Sequence, residues 1–128
     1  MNSFLMVFLG GGLGSALRLG VYRLARQWLS SDFPWGTLAV NVIGGLGAGA
    51  VTAWILARSL GSEDVAVLFF MTGVLGGFTT FSAFSVDTLL LWQRGDQATA
   101  LMYLVLSIFL SIGATAVGLL ACRGFSPT

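Results

Sequence analysis

Gly76-Gly77-Phe78-Thr79-Thr80-Phe81-Ser82-Ala83-Phe84 lies inside an apolar run from Val65 to Val86 that carries no charged residue and continues past Asp87 to Trp92. A helix needs about 20 mainly apolar residues to cross the roughly 30 Å hydrocarbon core of a bilayer, and this run is long enough. Two adjacent glycines followed by two β-branched threonines weaken a continuous helix at that depth. A break there frees backbone N–H and C=O groups that lipid cannot satisfy, so they must line a protein-enclosed cavity or hold an ion. Discontinuous helices near the midplane are where transport proteins place ion sites. A kinked but intact helix is the alternative left open.

Three further runs flank this one. Phe4 to Ala25 holds Arg18 in its interior; Trp35 to Ala57 is uncharged and is entered through Pro34, a tolerated first-turn residue; the last run, residues 98–121, lies within Gln97 to Cys122. The connections are short, so all 128 residues are expected to form one domain: an all-α membrane protein with spans near 4–25, 35–57, 65–92 and 98–121, the third broken near the midplane. Composition agrees. The chain is 56% hydrophobic and 9% charged, against roughly 25% charged in a soluble domain, far too little to wet a surface. There is no His and no Lys, which removes the commonest general base and Schiff-base chemistry, and no Ser-Lys pair or paired Asp suggests an enzyme. A net charge of +1 without a basic run argues against nucleic acid. The N-terminal run has no basic leader and no A-x-A-like site, which fits a cleaved signal peptide poorly.

Arginine placement bears on orientation. With four spans, Arg58 and Arg123 fall on one side and Arg23, Arg26 and Arg94 on the other. So even a balance predicts insertion in both orientations, and with it an antiparallel, dual-topology homodimer; a fixed orientation set by small biases is the alternative left open on this argument alone. Gly10 with Gly14, and Gly45 with Gly49 and Ala53, are small residues at four-residue spacing and predict close helix packing. The stretch Gly45 to Ala50 also satisfies G-x-G-x-x-A, but a dinucleotide site needs a βαβ unit that these spanning runs cannot supply.

Polar groups inside a bilayer are costly, which makes their positions informative. Asn41 sits about six residues into its span with two donors and an acceptor; taken alone, it suits a helix–helix hydrogen bond equally well. Tyr103, Ser107, Ser111 and Thr115 recur every four residues, a ladder of hydroxyls about 18 Å long on one slowly drifting helix face. Single serines often bond back to their own helix, but a sustained row suits a path for something small and polar. Phe81 and Phe84 share a face, and the positive edges of their rings can stabilise an anion without a fixed charge. Arg18 either snorkels or draws anions into a vestibule. Asp87 reads as a cap or ion-pair partner near a span end.

Three segments together resemble the Fluc (CrcB) family of fluoride channels: Gly14-Ser15-Ala16-Leu17-Arg18, Gly36-Thr37-Leu38-Ala39-Val40-Asn41-Val42-Ile43-Gly44, and Gly76 to Phe84. The resemblance covers nearly the whole chain. Ala83 stands where the family often has Thr, and Asp87 where it often has Glu. The resemblance implies an antiparallel homodimer with two pores in a bacterial plasma (inner) membrane, passively exporting fluoride from the cytoplasm and giving fluoride resistance. It further implies that Asn41 hydrogen-bonds the ion, that Phe81 and Phe84 turn ring edges to it, and that Tyr103, Ser107 and Ser111 form its track with Thr37 close by. Arg18 would stand near the pore mouth. The carbonyls of Gly76 and Thr79 from both subunits would hold a structural sodium ion at the dimer centre. The chemistry is consistent: hydroxyls and amides supply donors without the deep trap of a buried cation. The alternative is a small multidrug-resistance-type, proton-coupled cation exporter, which needs a carboxylate deep in the membrane. A non-conducting assembly subunit built on glycine packing is a third reading, but it leaves the hydroxyl ladder unexplained.

Overall fold

A computed structural model of the chain describes residues 2–124; the domain bounds of 1–128 expected from the sequence run past these at both ends. Helix α1 is Ser3–Trp28 and α2 is Trp35–Arg58. Helix α3 covers residues 65–78, α4 is Phe81–Gln93 and α5 is Gln97–Arg123. No strand occurs among the described residues. Four stretches are long and apolar enough to cross a membrane: Ser3–Trp28, Trp35–Arg58, Val65–Gln93 and Gln97–Arg123. They extend a few residues beyond the apolar runs because helical hydrogen bonding does not stop where the apolar residues do.

Local chemistry sets the ends. The Asn2 side chain accepts from the Phe4 N–H at 3.0 Å at the start of α1. The Asp96 side chain accepts from the Thr99 N–H at 3.3 Å at the start of α5, so both helices carry a side-chain N-cap. Gly95, with φ +81°, makes the left-handed turn after α4 that a side chain would resist. Within α3, Leu68–Leu75 is π-helical, a wider winding with i→i+5 bonds that is rare at this length. No sequence signal predicted it.

Between α3 and α4, Thr79 (φ −81°, ψ 159°) and Thr80 (φ −153°, ψ 117°) are extended, a conformation that suits β-branched residues. Thr80 caps α4, its hydroxyl accepting from the Ala83 N–H at 3.1 Å. This two-residue extended step positions the site.

Glycines let the helices pair closely. Helix α1 runs parallel to α3, with Gly10 against Phe69 and Gly73 and Gly14 against Val74 and Phe78. Helix α2 runs parallel to α5, with Gly49 on Thr115 and Gly118 on Leu46. The small-residue spacing therefore serves packing inside one chain. A Cβ at Gly49 would overlap the Thr115 carbonyl oxygen and lie 2.7 Å from the Leu119 nitrogen, and backbone cannot yield as a side chain does. Gly49→Val is expected to lower thermal stability in detergent, overpacking of this kind costing about 1–3 kcal/mol. Gly12→Ala, which meets nothing within 4 Å, is expected to leave the melting temperature unchanged or raise it.

Candidate functional site

The parallel pairings bring the connectors 29–34 and 94–96 to one end of the bundle. A cavity of about 390 Å³ opens there, lined by Tyr22, Arg26, Phe33, Thr37, Asp87 and Arg94 among others. Three of its lining residues, Tyr22, Thr37 and Asp87, join Tyr103 in a polar cluster drawn from four helices. The Thr37 hydroxyl donates to Asp87 Oδ2 at 2.6 Å, and the Tyr103 hydroxyl donates to the same oxygen at 3.3 Å. Tyr22 lies 3.4 Å from the Thr37 hydroxyl; because Thr37 gives its proton to Asp87, Tyr22 is the donor in that pair. Thr37 and Tyr103 are buried, Tyr103 completely at 0% exposure.

Asn41 sits one turn deeper on α2 and clasps the extended step. Its amide nitrogen donates to the Thr80 carbonyl at 2.9 Å and its carbonyl accepts from the Thr80 N–H at 2.8 Å. The exchange fixes the orientation of the amide, since the flipped form would face donor with donor. One amide hydrogen is left over. Because the Thr80 N–H goes to Asn41, it no longer serves the Gly76 carbonyl, its partner in a continuous α-helix. The Thr79 carbonyl accepts from Arg18 Nη1 at 3.4 Å, and the Gly77 carbonyl from the Ser15 hydroxyl at 3.4 Å.

Phe84 packs beside the Tyr103 end of the polar cluster. Its ring is 5.4 Å from that of Tyr103 and 5.6 Å from that of Phe81. Phe81 points outward, 79% exposed. Beyond Tyr103 along α5, Ser107 is buried at 6% exposure and its hydroxyl has no hydrogen-bond partner. Ser111 is half-buried. The Thr115 hydroxyl is spent on its own helix, donating to the Ser111 carbonyl at 2.9 Å, so the top rung of the ladder is an ordinary back-bond. Arg18 does not line this cavity. It borders a second, shallower cleft with Tyr22, Thr80, Ser82, Ala83, Val86 and Asp87.

Residues 5–119 match the family of CrcB-like, camphor resistance (CrcB) proteins. A protein of Paracoccus denitrificans named fluoride-specific ion channel FluC is 50% identical over 123 residues, 96% of this chain and 96% of its own. Proteins of the same name from Hyphomonas neptunium and Methylobacterium nodulans are 42% and 43% identical, over 96% and 98% of this chain and 97% and 99% of theirs. The chain belongs to the CrcB family.

Of the residues singled out from the sequence, this CrcB chain gathers Thr37, Asn41, Phe84 and Tyr103 around Thr80 and Asp87. It places Ser107 and Ser111 further along α5, Phe81 outside and Arg18 against the extended step. Two groups have a place that the sequence reading did not give them. Asp87, expected as a cap or ion-pair partner, is the acceptor at the centre of the cluster, and Tyr22, not singled out, completes the chain of hydroxyls behind it. The signal was spacing: Asp87 follows Phe84 by three residues and Tyr22 follows Arg18 by four, each on the face already singled out.

Proposed function

We propose that this integral membrane protein is a fluoride channel, letting fluoride leave the cytoplasm passively across a bacterial plasma membrane and so giving fluoride resistance. It carries ions and is not an enzyme. The Ser107 hydroxyl is the observation that carries the reading. A buried hydroxyl without a partner is costly, and four residues from Tyr103 it is about 6 Å further along the helix, a free donor awaiting a small anion. Tyr103 and Thr37 donate to Asp87 in the absence of an ion; an anion at Tyr103 exchanges one acceptor for another, so neither state is a deep trap. The unused amide hydrogen of Asn41 and the positive ring edges of Phe84 and Phe81 supply further neutral contacts. Ser111 continues the track. No observation favours proton-coupled cation export.

The working unit in this reading is an antiparallel, dual-topology homodimer. The cleft bearing Arg18, Thr80 and Ser82, and the outward ring of Phe81, lie on a face where lipid would leave polar groups unsatisfied; a second copy covers them. The third span is then broken near the midplane at Thr79 and Thr80, close to the middle of the Val65–Gln93 stretch. A structural sodium ion fits the donor set: the Gly76 carbonyl is released by the diversion of the Thr80 N–H, and the Thr79 carbonyl keeps a second lone pair beside its 3.4 Å contact with Arg18. Gly76 and Thr79 of two copies would hold the ion, which would tie the two chains together at their carbonyls.

Ser107→Ala tests the reading in proteoliposomes. Removing an unpaired buried hydroxyl leaves stability unchanged or improved, while fluoride efflux is expected to slow about tenfold, one hydrogen bond to an ion being worth ~1.4 kcal/mol or more. An unchanged efflux rate would overturn the assignment of the α5 ladder as the path.

A further inference from the structure

Phe33 belongs to the connector between α1 and α2, outside every motif that marks the family. An aromatic in a short loop at a membrane surface ordinarily lies among lipid headgroups. This one turns inward. Pro34, with φ −79° and ψ 63°, forms an inverse γ-turn closed by the Trp35 N–H donating to the Phe33 carbonyl at 2.8 Å. That turn fixes the Phe33 backbone at the first residue of α2. The Trp35 ring packs on it at 4.5 Å, and its apolar surroundings are the core residues Leu38, Leu91, Ala100 and Tyr103.

The contact with Tyr103 is specific. The two rings meet edge to face, 5.5 Å apart at 89°, a preferred aromatic geometry. Phe84 touches Tyr103 at 5.4 Å. Tyr103 is therefore in contact with two phenyl rings, one from the third-span motif and one from the loop. Its hydroxyl reaches Asp87 at only 3.3 Å, a bond that a small tilt of the ring would break. Phe33 also lines the cavity together with Thr37 and Asp87, and Asp87 is the acceptor for the Tyr103 hydroxyl.

We infer that Phe33 is a positioning residue for the ion path: the loop holds the Tyr103 ring from the cavity side and so aims its hydroxyl. The inference rests on the fluoride-channel reading. Donors that act on an ion have to be held within about 0.5 Å of their working position, and no backbone constraint on α5 fixes the tilt of a tyrosine ring.

The test is a double-mutant cycle on fluoride efflux from proteoliposomes, with wild type, Phe33→Ala, Tyr103→Phe and the double variant followed from seconds to hours so that slow variants stay measurable. Phe33→Ala is expected to slow efflux about tenfold, and to add less than about twofold once the Tyr103 hydroxyl is gone, because coupled residues are non-additive. A role confined to stability would slow both backgrounds alike. Equal slowing in both backgrounds overturns the inference, and so does a Phe33→Ala protein that conducts at the wild-type rate. Should Phe33→Ala fail to fold, Phe33→Leu keeps apolar volume in the connector while removing the ring, and the same cycle is read with it. A silent wild type sinks the channel reading itself, and the inference with it; a conducting wild type with an unaltered Phe33 variant sinks only the role of Phe33.

Discussion

Asn41→Asp is expected to slow fluoride efflux about a hundredfold, ~2.7 kcal/mol of barrier, while the chain still inserts and migrates as wild type on gel filtration. The size follows from what the amide holds. Asn41 is bonded to both the N–H and the C=O of Thr80, at 2.8 and 2.9 Å. A carboxylate keeps the first bond but sets an acceptor against the Thr80 carbonyl in place of a donor, and it removes the spare amide hydrogen. Both changes act at membrane depth, where an unpaired polar group is costly. The extended step loses its clasp and the ion loses a donor, and a fixed negative charge now stands beside the anion's route. Efflux at the wild-type rate would mean that Asn41 only braces the helix step and that the ion passes elsewhere.

Phe81→Ile is expected to slow fluoride efflux about tenfold or more, ~1.4 kcal/mol, the upper range of specific aromatic geometry. Within one chain the ring is 79% exposed, so little intrachain packing is lost and thermal stability should shift by less than a core substitution would cause. Isoleucine is apolar and bulky but has no quadrupole, so a loss of flux isolates the ring edge from mere greasiness. Normal flux in Phe81→Ile would remove the outward ring from the path and leave Phe84 as the only aromatic of the pair beside the donors.

How much of this was legible in the sequence differs by residue. The spans were readable because uncharged runs such as Trp35 to Ala57 have one economical solution in a bilayer. The weakness at Gly76 to Thr80 was readable from glycine and β-branching, and extended dihedrals fall at Thr79 and Thr80 within it. The partner of Asn41 was not readable: its bond to Thr80 joins positions 39 residues apart, a distance that only helix packing closes. The same holds for Asp87, whose bonds to Thr37 and Tyr103 cross from α4 to α2 and α5. Periodicity placed Thr115 on the ladder's face but could not show that its hydroxyl is already committed to the Ser111 carbonyl. The π-helical Leu68–Leu75 left no trace in residue type, although its backbone at Phe69, Gly73 and Val74 is where Gly10 and Gly14 of α1 pack.

Everything turns on whether neutral donors alone carry the ion. Purified wild-type protein in liposomes loaded with potassium fluoride or potassium chloride, with valinomycin to let potassium balance the charge, and monitored by ion-selective electrodes with no proton or sodium gradient, puts that to the test. Fast fluoride release is expected, with chloride release no faster than from protein-free liposomes, because closely set hydroxyl and amide donors reward the smaller, more strongly hydrogen-bonding ion. Equal release of both halides, or fluoride retention until a proton gradient is imposed, would contradict it.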